Sequence, residues 1–129
     1  RTERIMGKHS RQEINLLDLV PERLIDFETD DARIVTVFAP RFRNSLMKRL
    51  FEPRLKSPYF KVTLDDIGSE VWMLCDGKRN VKEIAEAARE RFQERIEPCY
   101  ERLGQFFRQL ESARFIRYTN LDRYLKARD

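Results

Sequence analysis

Along residues 64–92, LDDIGSEVWMLCDGKRNVKEIAEAARERF, apolar positions recur every three or four residues and the pattern breaks once, at Asp76-Gly77. This spacing predicts two amphipathic helices joined by a tight corner. Ile67, Val71, Trp72, Leu74 and Cys75 form the apolar side of the first helix. It begins near Asp65 or Asp66, since either carboxylate can accept from free backbone N–H groups. Gly77 ends it, free to take the left-handed conformation at C′. The second helix opens at Asn80, with Glu83 three residues on as a capping-box partner, and turns Val81, Ile84, Ala85, Ala88 and Phe92 inward. A third opens at Pro98, a residue suited to the first helical position, with Leu103, Phe106, Phe107 and Leu110 on its apolar face.

Upstream the period changes. In RLIDFETDDARIVTVFAP, Leu24, Asp26 and Glu28 alternate against Ile25 and Phe27. The segment Thr29-Asp30-Asp31-Ala32 supplies turn chemistry, and Ile34, Val35, Val37 and Phe38 form a second β-rich run closed by Pro40. That is a hairpin signature. In SPYFKVTLDD, Phe60, Val62 and Leu64 share one face of a third strand, while Tyr59, Lys61 and Thr63 share the other. Before the hairpin, Ile14, Leu17 and Val20 are three apart, which predicts a helical turn or two ahead of Pro21. After the last helix, residues 114–118 (RFIRY) form a short extended piece. Strands followed by helices give an α+β class. The expected arrangement is winged-helix-like, a three-stranded antiparallel sheet followed by a three-helix bundle with a helix-turn-helix.

Composition narrows the function classes. The chain has 129 residues, 41% hydrophobic and 37% charged, which fits a globular domain with a wet surface. No apolar run approaches the ~20 residues of a membrane helix, and no secretory signal pattern is seen, so a cytoplasmic protein is expected. The net charge of +4 comes from 26 basic and 22 acidic side chains. The excess is local: Arg41, Arg43, Lys48, Arg49, Arg54 and Lys56 stand against Glu52 alone in residues 41–56. In that block Leu46, Met47, Leu50 and Phe51 keep helical spacing, which predicts a short amphipathic helix ended by Pro53.

Catalytic chemistry finds little footing. The lone histidine, His9, lies in a charged arm, so no nucleophile–base pair can be built on it. Cys75 and Cys99 sit in apolar helical contexts without CxxC spacing, and two buried reduced thiols are expected. A metal centre would need more ligands. Gly7, Gly68, Gly77 and Gly104 form no phosphate-cradling loop. Asp65 and Asp66 stand where a helix cap is required, which outweighs a metal or acid/base role. Trp72, Phe106 and Phe107 read as core. The chain is therefore expected not to be an enzyme, with no cofactor and no metal.

The opening stretch resembles the PqqD-like family. Its pattern of Leu-Asn/Asp-x-x-small, an apolar helix, Asp-Gly-basic-x-Thr/Asn-Val-x-Glu-Ile, then a last helix with a hydrophobic exit is carried by Leu64, Asp65, Gly68, Leu74, Asp76, Gly77, Asn80, Val81, Glu83 and Ile84. Leu103, Phe107, Leu110 and Ile116 match the final helix and exit. The resemblance implies a division into an N-terminal arm (1–20), a PqqD-like winged-helix-like domain (21–118) with a basic insertion at 41–58, and a tail (119–129) in which Leu121, Tyr124 and Leu125 keep helical spacing. The arm and the insertion are additions to the family pattern.

The same resemblance implies a peptide recognition element. Such domains hold the leader of a ribosomally made precursor peptide and present it to a modifying enzyme, often of the radical SAM type. The peptide adds as a strand to the edge of the third strand, beside the last helix. Tyr59, Lys61 and Thr63 on that strand and Arg102, Phe106 and Gln109 on the last helix are the candidate peptide-binding residues, assigned by element. Nucleic-acid binding through the helix-turn-helix and the basic block is the alternative. It is disfavoured because the second helix exposes Lys82, Glu83, Glu86, Arg89 and Glu90, a mixed-charge face poorly suited to a phosphate backbone. A homodimer using the arm and the basic helix is a third reading.

Overall fold

The computed structural model describes residues 15–40 and 59–123. The expected helix in the basic block, most of the N-terminal arm and the end of the tail lie outside the described residues. The remainder is α+β and winged-helix-like, with a three-stranded antiparallel sheet followed by helices. In chain order the elements are β1 (Pro21–Arg23), β2 (Phe27–Thr29), β3 (Val35–Pro40), β4 (Tyr59–Thr63), α1 (Asp66–Leu74), α2 (Val81–Phe92), α3 (Cys99–Ser112) and β5 (Ile116–Tyr118), with 3₁₀ turns at Leu16–Asp18 and Gln93–Ile96. Contacts divide the chain into two compact units. One falls within Arg1–Leu24 and Met73–Asp129, the other within Ile25–Trp72.

The unit built on Ile25–Trp72 holds the sheet, in the order β2-β3-β4. The hairpin forms as the sequence predicts, although β2 starts at Phe27 and not at Leu24. Its turn is closed by Asp30, whose Oδ1 accepts from the N–H groups of Ala32 and Ile34, both at 2.9 Å. Asp and Asn favour turns because a short side chain can stand in for a backbone acceptor. Strand β3 alternates buried and half-buried, with Val35, Val37 and Ala39 inward. Trp72 is fully buried and meets the edge of the Phe27 ring at 5.9 Å and 81°. Helix α1 starts as expected at the Asp65-Asp66 pair: Asp65 Oδ1 accepts the Gly68 N–H at 2.7 Å and Asp66 Oδ1 the Ile67 N–H at 2.8 Å. Both carboxylates serve the helix end.

The other unit pairs two strands far apart in sequence. Strand β1 runs antiparallel to β5, Pro21 opposite Tyr118 and Arg23 opposite Ile116. The expected helical turn before Pro21 is a single 3₁₀ turn capped by Asn15, whose Oδ1 accepts the Leu17 N–H. Pro21 itself belongs to a strand. The α2 capping box is present as predicted, with Asn80 Oδ1 on the Glu83 N–H and Glu83 Oε1 on the Asn80 N–H, each at 2.8 Å. All five residues predicted to face inward from α2 are buried. Pro98 is the cap of α3 and not its first helical residue. Because proline has no side-chain acceptor, the Cys99 N–H is taken by Glu97 Oε1 at 3.1 Å. Helix α3 ends with Arg114 at φ 64°, and the Phe115 N–H reaches back to the Leu110 carbonyl at 2.9 Å. This is a Schellman closure made with arginine where glycine is usual.

Gly77 has φ 80°, as the sequence requires. It lies just past the expected C′ site, and its N–H bonds to the Pro21 carbonyl at 2.9 Å, tying the corner to β1. An added Cβ would meet the Glu22 side chain at 3.5 Å, an ordinary contact. The cost of a substitution there is therefore backbone strain and not a clash. Gly77→Val is expected to lower stability by about 1–2 kcal/mol, since a β-branched residue resists a left-handed φ. Thermal melts check this, and an unchanged midpoint would remove the conformational argument for the corner.

Candidate functional site

Among the described residues the sheet ends at β4, and the sequence of that strand is unusual for an end. Tyr59, Phe60, Val62 and Thr63 are all good strand formers, yet all five residues of β4 are exposed. Tyr59 is 46%, Phe60 49% and Val62 39% exposed. Among the described residues, no strand pairs with the side of β4 away from β3.

Register decides which backbone groups face that side. Thr36 stands opposite Thr63, Val37 opposite Val62 and Phe38 opposite Lys61. The Leu64 N–H donates to the Val35 carbonyl at 2.9 Å, and the Phe38 N–H to Asp26 in the other direction. Hydrogen-bonding direction alternates along a strand. Val62 and Phe60 therefore point their N–H and C=O groups toward β3, while Tyr59, Lys61 and Thr63 point theirs outward.

The two side-chain faces differ in kind. Phe60 and Val62 share their face with the buried Ala39 and Val37, so the apolar covering stops between β3 and β4. Tyr59, Lys61 and Thr63 share theirs with Pro40, Phe38 and Thr36. There the Lys61 ammonium lies 5.8 Å from the centre of the Phe38 ring, and the Thr36 and Thr63 hydroxyls are 3.0 Å apart. At the end of the β3–β4 ladder the buried Ser69 hydroxyl accepts the Val35 N–H at 2.8 Å and donates to the Leu64 carbonyl at 3.4 Å.

The three strand residues named from sequence, Tyr59, Lys61 and Thr63, thus sit together on β4. Arg102, Phe106 and Gln109 lie on α3, in the other unit. Arg102 donates to the Arg95 carbonyl at 2.6 Å. Phe106 is half-buried, its ring centre 6.2 Å from that of Phe107. Gln109 lines a shallow open groove with Gln105, Arg108, Ser112 and Ala113. Sequence reasoning placed Phe60 and Val62 with Leu64 on one face of the strand and did not name them as site residues. The period-2 pattern correctly puts them on the core face, but it carries no signal for where that face stops being covered.

Titratable groups elsewhere are held in structural states. Burial pushes the Cys75 thiol up to about 12, against a smaller opposing pull from Arg23. Burial also raises Cys99 and Tyr118. Both cysteines are buried free thiols, as expected. Partial burial pushes the Asp76 carboxyl up, but the N–H groups of Lys78 and Arg79 and the Arg79 guanidinium outweigh it and hold the group below its usual range. The hydrogen bond from Arg89 lowers Glu97. That ion pair at 2.8 Å, with Arg89 also 4.7 Å from the Tyr100 ring centre, joins α2 to the start of α3. Among the described residues no three His, Cys, Asp or Glu side chains gather as a metal would need. No helix there is long and apolar enough to cross a membrane.

Residues 59–116 match the family described as Coenzyme PQQ synthesis protein D (PqqD). No curated protein and no solved structure matches the chain. The matched stretch is narrower than the 21–118 over which the sequence pattern was traced. It opens on the first residue of β4, runs through the three helices and closes on the first residue of β5. The PqqD family comprises non-catalytic, peptide-binding accessory proteins of PQQ synthesis. With that pattern carried from the exposed edge strand to the exit of the last helix, residues 59–116 are similar to the PqqD family.

Proposed function

We propose that this chain is a peptide-binding adaptor that holds the leader of a ribosomally made precursor peptide along β4 and presents it to a modifying enzyme of the radical SAM type. The observation that carries the reading is the outer edge of β4, which no described strand covers and where Lys61 and Thr63 turn backbone donors and acceptors outward from a row of exposed side chains. Natural proteins blunt such edges because they invite strand pairing. An edge left open beside exposed aromatic residues suits strand addition, in which main-chain hydrogen bonds supply affinity. The Lys61 ammonium adds a charge for acidic peptide residues.

The test is titration of the ¹⁵N-labelled full chain with candidate leader peptides, following amide shifts. Shifts centred on Tyr59 to Thr63 are the expected result. A response to duplex DNA with none to any peptide would overturn the reading in favour of nucleic-acid binding, and that response should weaken steeply with salt.

A further inference from the structure

Lys61 is the middle residue of the five in β4. A second copy of the chain could pair with the open edge, antiparallel across a two-fold axis. In the register of full overlap that pairing sets Tyr59 against Thr63, Phe60 against Val62, and Lys61 against its own counterpart. Like charges directly opposite each other are destabilising, and a lysine in an exposed edge strand is a known guard against edge-to-edge association. The same position has the opposite effect on a foreign strand. Lys61 turns its N–H and C=O outward, so the ligand residue facing it forms a hydrogen-bonded pair with it and carries its side chain on the Lys61 face. The ligand residues on either side face Phe60 and Val62 and fall on the apolar face, where burial stops short at β4.

Building on the strand-addition reading above, we infer that the edge of β4 is selective for an extended segment of the form apolar–acidic–apolar, and that Lys61 both sets the acidic preference and keeps the edge from pairing with a second copy. Two independent features agree on the phase of the ligand. The charge lies on the polar face of the strand, and the uncovered apolar area of Phe60 and Val62 lies on the other, one residue to each side. An added strand in that phase covers the apolar side chains and neutralises the lysine at once.

The experiment uses the full chain and three fluorescent peptides of equal length on one Gly/Ser background, carrying Val-Glu-Val, Val-Lys-Val or the phase-shifted Glu-Val-Glu, read by anisotropy at low salt. Val-Glu-Val should bind wild type about five- to tenfold tighter than Val-Lys-Val, the scale of exchanging a repulsive cross-strand pair for an attractive one. Lys61→Glu should reverse that order, and Lys61→Thr should flatten it and sediment as a concentration-dependent dimer. Equal binding of all three peptides, with amide shifts still centred on β4, would overturn the selectivity and leave strand addition standing. No binding by any peptide would overturn both. Wild type that sediments as a dimer with β4 protected from hydrogen exchange would overturn the guarding role of Lys61.

Discussion

Trp72→Ala should lower the unfolding free energy by about 3–5 kcal/mol, the usual cost of truncating a large buried aromatic. Trp72 is fully buried, and its indole meets the Phe27 ring edge-on. An aromatic pair of that geometry adds about 0.5–1.5 kcal/mol beyond area burial. Domains of this size are stable by about 5–15 kcal/mol in all, so the loss is a large share of the total and the variant is expected to be partly unfolded at 37 °C. The chain has one tryptophan, so unfolding is best followed by circular dichroism in urea. Trp72→Phe, which keeps the ring contact, should recover most of the loss. A Trp72→Ala variant that unfolds at the wild-type midpoint but fails to bind peptide would move Trp72 from the core to the binding surface.

Thr63→Pro should abolish most peptide affinity, by tenfold or more, while leaving the fold largely intact. The register turns the Thr63 N–H toward the open edge, so proline there deletes a donor that only an added strand would use. The Leu64 N–H, which bonds to Val35, is untouched. The change also removes the hydroxyl contact with Thr36, worth about 0.2–1 kcal/mol of stability as a cross-strand pair. Thr63→Val separates the two effects, since it loses the hydroxyl but keeps the N–H, and it should bind like wild type. Binding by Thr63→Pro at wild-type strength would show that the ligand does not pair with this part of β4. A collapse of the unfolding midpoint would show instead that the donor faces β3.

What could be read from the sequence divides along a physical line. Features decided within a few residues were legible. The Asn80–Glu83 box, the positive φ at Gly77, the turn closed by Asp30 and the inward side of α2 each follow from contacts no more than a few positions apart. The pairing of β1 with β5 was not, because Pro21-Glu22-Arg23 is too short to show alternation and its partner lies almost a hundred residues away. The offset of Pro98 has a local cause that sequence spacing does not resolve: proline is acceptable both at a cap and one residue inside it, and the extended ψ of 114° at Pro98 places it at the cap. For the candidate site, alternation sorted β4 correctly into Phe60 and Val62 against Tyr59, Lys61 and Thr63. It could not show that no described strand follows β4 in its sheet, and so it hid the exposure of the apolar pair. Arg114 closing α3 in a left-handed conformation is a further case, since nothing in an arginine announces a role that glycine usually fills.

The hydroxyl of Ser69 has an effect larger than its two hydrogen bonds. By taking the Val35 N–H and reaching the Leu64 carbonyl, it pins the helix start to the place where β3 and β4 part. A strand slipped by one residue would swap every side chain to the opposite face and every donor to the opposite edge. The outward-facing amides would then belong to Phe60 and Val62, the lysine would turn to the apolar side, and a peptide would meet a different text. Ser69 thus fixes the reading frame of β4 from a buried position.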